Sequence, residues 1–85
     1  MTAAADLIAS TYHEASAAGG WLELDAKQLV GQLASRYPAV EVLPSLEEAR
    51  TTLAGHDQAD VRLFLATVRA ELIRRRPHER PATRS

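Results

Sequence analysis

Apolar side chains recur every three or four residues along most of this chain, the period of an amphipathic helix. Ala5, Ile8, Tyr12 and Ala15 define one face of a first helix over about residues 2–18. Gly19-Gly20 ends it, because glycine takes the left-handed geometry of a helix C-terminus without steric cost. The cleanest stripe follows: Ala26, Leu29, Val30, Leu33, Ala34 and Tyr37. Asp25 and Gln28 make a capping-box pattern at its start. Pro38 stops it, since a residue before proline avoids helical geometry.

Two segments break this period. Trp21-Leu22-Glu23-Leu24 and Ala39-Val40-Glu41-Val42-Leu43 alternate apolar and acidic positions, as short strands do. They are candidates for a minor two-stranded ribbon. Ser45 and Glu48 form a second capping box after Pro44, which predicts a short third helix with Leu46, Ala49 and Leu53 inward and Gly55 at its end. Asp57, with Asp60 in the next turn, opens a fourth helix that runs to about Arg76 and stops at Pro77. The expected fold is an all-α bundle of four helices, the third short, over residues 1–76. Residues 77–85 form a basic tail with no apolar side chain larger than alanine or proline, a composition that stays disordered by itself.

The fourth helix is apolar on two sides. At about 100° per residue, Val61, Phe64, Leu65, Val68 and Leu72 cluster on one face, and Leu63, Ala66, Ala70 and Ile73 on another. A surface helix needs one apolar stripe. The second stripe is therefore either the far side of an enclosed central helix or a surface for a partner or a second copy. Alanines there permit close helix approach. Trp21, after the glycine pair, has the same two readings: a lid on the core or an exposed binding anchor.

Composition narrows the classes. Eighty-five residues make one domain. No cysteine is present, which excludes disulfides, thiolate zinc sites and cysteine nucleophiles. No apolar run approaches a membrane span, and Met1–Asp6 lacks the features of a signal peptide. A cytoplasmic location is the expectation. Nine arginines against the single Lys27, with abundant alanine, fit a bacterial or phage origin. The net charge of −1 hides an asymmetry. Residues 1–48 carry seven acids and two bases, whereas residues 49–85 carry eight arginines and four acids. Such a division suggests an electrostatic handle at one end.

Candidate chemistry is sparse. His13, His56 and His78 have no metal-ligand spacing with one another or with acids. Ser10 and His13 share a helix face, but a nucleophile and base also need an orienting group and an oxyanion hole. Glu47-Glu48 and Asp57/Asp60 sit at expected helix starts, where capping and the helix dipole favour acids. Gly19-Gly20 is not part of a phosphate-binding loop. No catalytic residue, metal site, cofactor or small-molecule substrate is predicted.

Nucleic acid is the rival partner. Helices two and three resemble a helix-turn-helix in outline, but the expected connection, Tyr37 to Pro44, is longer than that motif's turn. Only Arg50, Thr51 and Thr52 are placed to read bases. Arg69, Arg74, Arg75, Arg76, Arg80 and Arg84 form a better patch, although without aromatics to stack bases their contacts would go to phosphate. Arg74–Arg76 also sit where a helix C-terminus favours cations. The function expected is a non-enzymatic protein-interaction module: a regulator, accessory subunit or phage-type inhibitor. It would bind a partner or itself through Leu63, Ala66, Ala70, Ile73 and Trp21, with the arginines as electrostatic contacts. A small DNA-binding regulator of helix-turn-helix or winged-helix type is the alternative.

Overall fold

The computed structural model describes residues 2–75, and these form four helices: α1 Ala3–Ala17, α2 Glu23–Arg36, α3 Ala39–Thr52 and α4 Gln58–Arg75. Among the described residues there is no strand. The expected tail 77–85, with His78, Arg80 and Arg84, lies outside them, as does Arg76, the expected last residue of the fourth helix. α1 packs chiefly on α3 and α2 on α4, with lesser α3–α4 and α1–α2 contacts.

α1 is fixed at both ends by local chemistry. The Thr2 hydroxyl accepts the Ala5 N–H at 3.2 Å, satisfying one of the helix's orphan donors. At the other end Gly19 and Gly20 take φ of 113° and 124°. Their N–H groups reach the Ser16 and Ala15 carbonyls at 3.2 and 2.9 Å, a Schellman turn. Between them Ala5, Ile8 and Tyr12 face inward as their spacing predicts.

α2 starts earlier than the sequence suggests. Asp25 is not its N-cap: Leu22 holds that position in extended geometry, and Asp25 reaches back to accept the Leu22 N–H at 2.7 Å. The acid thus performs the outer half of a capping box from the first turn. Ala26, Leu29, Val30 and Leu33 are buried, and Tyr37 leaves the helix in extended geometry before Pro38.

α3 is where expectation and structure differ most. It is not short: it has 14 residues, the same length as α2. It begins at Ala39 and contains Pro44, so the expected strand Ala39–Leu43 is helical and no ribbon forms. Proline favours a first helical turn, which is why Ser45 reads as a start. A competing signal spans the proline. Val42, Leu46, Ala49 and Leu53 keep helical spacing across it, and all four are buried. The carbonyl that Pro44 cannot bond belongs to Val40, a residue on the exposed side of the helix (75% exposed). Ser45, expected as a cap, is buried and donates its hydroxyl to the Val42 carbonyl at 2.6 Å. Glu48 does not cap its own helix. It accepts the Thr2 backbone N–H at 3.2 Å and the Thr2 hydroxyl at 3.0 Å, bracing the start of α1.

The α3–α4 link has its own lock. Leu53, not Gly55, ends α3, and Gly55 is not left-handed. Gln58 donates to the Leu53 and His56 carbonyls at 2.9 and 3.0 Å. Asp57 caps α4 as expected, accepting the Ala59 N–H at 3.0 Å. Val61, Phe64, Leu65, Val68 and Leu72 fill the core from α4.

Candidate docking face of the last helix

The first stripe of α4 satisfies the core, and the second is left outside it. Leu63 is 59% exposed and Ile73 44%, and Ala66 and Ala70 between them are also exposed. Among the described residues, α4 is therefore covered on one side only. The reading of an enclosed central helix does not describe this chain.

Ile73 connects the stripe to an apolar groove. A hollow of about 320 Å³ lies where α2 ends, α3 begins and α4 finishes, walled by Tyr37, Pro38, Val42, Leu43, Leu72 and Ile73. Pro38, in the two-residue link between α2 and α3, forms part of its wall. On the α3 side, Ala66 borders a shallower groove of about 190 Å³ with Leu46, Leu65, Arg50, Arg62 and Arg69. Aliphatic surface thus runs along α4 from Leu63 to Ile73 and widens at its C-terminal end.

The arginines edge this surface. Arg62, Arg69, Arg74 and Arg75 are all exposed. Arg74 bonds Glu71 at 3.0 Å, and Arg50 is bonded to Glu47 by two guanidinium nitrogens. Arg62 and Arg69 make no ion pair with another described residue. Arg75 lies in the last turn, where the helix dipole favours its charge.

Trp21 is placed differently from the stripe. Its ring is half-buried at the opposite end of α4, edge-on to Phe64 at 5.2 Å. Its indole N–H donates to both Asp60 oxygens at 3.2 Å. The Tyr12 hydroxyl donates to the same carboxylate. Burial is the main cause that pushes the Tyr12 phenol above its ordinary value, and the bond to Asp60 adds to it. His56 sits edge-on to Tyr12 at 5.2 Å, and His13 lies 5.6 Å from His56. Position in the first turn of α4 is enough to account for an acid at Asp60, so no local pattern marks the clamp. The available signal was that an inward Tyr and a nearby Trp each need an acceptor when buried.

The remaining candidates are occupied in other ways. Ser10, His13 and Glu14 are exposed on α1. Glu47 pairs with Arg50, and Glu48 with Thr2. Among the described residues no three His, Cys, Asp or Glu side chains come together as a metal site. The link between α2 and α3 is only Tyr37-Pro38, much shorter than expected. Yet α3 packs on α1 rather than on α2. Its would-be base readers turn back on their own helix: Thr51 and Thr52 donate to the Glu47 and Glu48 carbonyls at 3.3 and 3.1 Å. No described helix is long and apolar enough to cross a membrane. No protein-family model, curated protein or solved structure matches the chain.

Proposed function

We propose that this chain is a non-enzymatic protein-interaction module, a regulator or accessory subunit, that docks a partner on the outer face of α4. One observation carries the reading: Leu63 and Ile73 stay largely exposed at the two ends of a continuous small-residue stripe, although the core of α4 is complete without them. Apolar area in water is unfavourable by roughly 25 cal/mol per Å², and aliphatic patches edged by polar residues mark interaction sites. Helix-in-groove recognition uses anchors at this spacing. The arginines of α4 supply electrostatic contacts around it. A cytoplasmic location agrees with this reading.

The test is a fluorescein-labelled amphipathic helical peptide with a leucine stripe and neutral glutamine flanks, titrated with the full chain by anisotropy. Binding is expected, and Leu63→Glu/Ile73→Glu is expected to weaken it at least tenfold, since burying an unpaired carboxylate is costly. Far-UV circular dichroism should stay unchanged because both side chains are exposed. Failure to bind, or binding that survives the double substitution, overturns the reading. Sedimentation velocity of the chain alone reports whether a second copy occupies the face. A salt-dependent gel shift on generic duplex DNA tests the nucleic-acid alternative.

A further inference from the structure

We infer that the outer face of α4 takes an amphipathic helix with acidic flanks, in preference to a second copy of this chain or a nucleic acid. The inference rests on reading that face as a docking surface. It adds the chemistry of the occupant.

The argument is charge complementarity around an apolar strip. On a helical wheel Ala66, Ala70 and Ile73 lie between two edges. Arg62 and Arg69 form the edge toward α3, and Arg74 lies on the other. The acids of α4, Asp60 and Glu71, are both spoken for: Asp60 by Tyr12 and Trp21, Glu71 by Arg74. The outer face of α4 therefore offers aliphatic carbon and guanidinium, and the carboxylate that borders it, Glu47 of α3, is paired with Arg50. Across the shallow groove Arg50 adds a third cation to the α3 edge, with Glu47 as its counter-charge. Arg62 and Arg69 sit two turns apart on one edge without a partner among the described acids.

Each alternative occupant conflicts with this arrangement. A second copy docked antiparallel by a two-fold axis sets the Arg62/Arg69 edge against itself. A parallel pair sets it against the Arg74 edge. The first juxtaposes unpaired like charges, and the second leaves Arg62 and Arg69 facing a cation already bonded to Glu71 and so without a counter-charge, which complementary interfaces avoid. Nucleic acid would satisfy the cations but leave Leu63, Ala66, Ala70 and Ile73 against phosphate and sugar, with no aromatic ring for bases to stack on. A helix with leucines facing the strip and glutamates or aspartates at its flanks satisfies both parts. The arginine stems lie along apolar surface while their heads reach the acids.

Three fluorescein-labelled peptides test this with the full-length chain: one leucine stripe, flanked by Gln, Glu or Lys. The Glu-flanked peptide is expected to bind about tenfold tighter than the Gln-flanked one, as a few exposed ion pairs together provide. The Lys-flanked one should bind weaker than both. The differences should shrink with added salt. Arg62→Glu/Arg69→Glu, with circular dichroism as the fold control, should reverse the order. Equal affinity for all three peptides overturns the inference while leaving the docking surface intact. Loss of binding for all three overturns the docking surface itself. An unreversed order in the double variant, or full displacement of the Glu-flanked peptide by duplex DNA at equal salt, also overturns the inference.

Discussion

The Tyr12 hydroxyl donates to Asp60 Oδ2 at 2.5 Å across 48 residues of sequence, and the Trp21 indole N–H converges on the same carboxylate. One acid thereby ties α1, the α1–α2 loop and the first turn of α4. Hydrogen bonds to a charged acceptor contribute roughly 1.5–3 kcal/mol, and a buried donor left without an acceptor costs about 1–3 kcal/mol. Tyr12→Phe should destabilise by about 1–2 kcal/mol. Asp60→Ala strands two donors and should cost more, about 2–4 kcal/mol. Urea unfolding followed by Trp21 emission checks both. A smaller loss for Asp60→Ala than for Tyr12→Phe would contradict the clamp.

The same phenol predicts an alkaline limb. Its folded value is raised above the ordinary 10.0, mainly by burial. The folded state therefore holds the proton more tightly than the unfolded chain. The corresponding stability is fully present below pH 10 and is lost as pH rises through the folded value. Thermal melts over this range should show a decline that Tyr12→Phe flattens.

Acid stability has a separate source. Bonds from the Thr2 backbone and side chain hold the Glu48 carboxyl below its ordinary 4.5. A depressed acid contributes above its unfolded value, and that contribution fades as pH falls through the folded one. Glu48→Gln should therefore lose stability at neutral pH and show a shallower decline below about pH 4.5 than the parent. Melting temperature against pH gives the comparison.

Gly31 lies mid-helix in α2 without needing to be glycine. A Cβ there would meet only Arg75 Nη2 at 3.9 Å, an ordinary contact. Gly31→Ala should stabilise by about 0.5–1 kcal/mol by removing backbone entropy. The expected gain in melting temperature is a few degrees. A fall would mean that the Arg75 guanidinium cannot give way.

Pro44 is the opposite case. It interrupts α3 at an exposed site. Pro44→Ala restores an N–H for the Val40 carbonyl and should stabilise by about 1–3 kcal/mol. Helical content should rise slightly by circular dichroism. Unchanged stability would place the restored bond no better than water.

The all-helical class and most inward residues of α1, α2 and α4 were legible because helical period and the Gly19-Gly20 stop agreed, although Ala34 of the α2 stripe is exposed and Asp25 closes the start of α2 from inside the helix. α3 was misjudged for a physical reason: burial of Val42 outweighed the local preference of Pro44 for a helix start. The α4 stripe was legible as surplus apolar area, but its exposure was not, because periodicity cannot say which of two apolar faces meets the core. The Tyr12–Trp21–Asp60 clamp joins residues too far apart for any local pattern to relate. The partner of Glu48 was hidden for the same reason, since Thr2 lies 46 residues away in sequence.

The Thr2–Glu48 contact also bears on how this molecule comes apart. The first turn of α1 is completed by a side chain that belongs to α3. An isolated helix of this length is marginal in water. α1 therefore gains its full end-closure only after α3 is seated beside it, and α3 loses its neighbour when α1 frays. Melting should be a single cooperative event in which probes on α1 and α3 report the same midpoint.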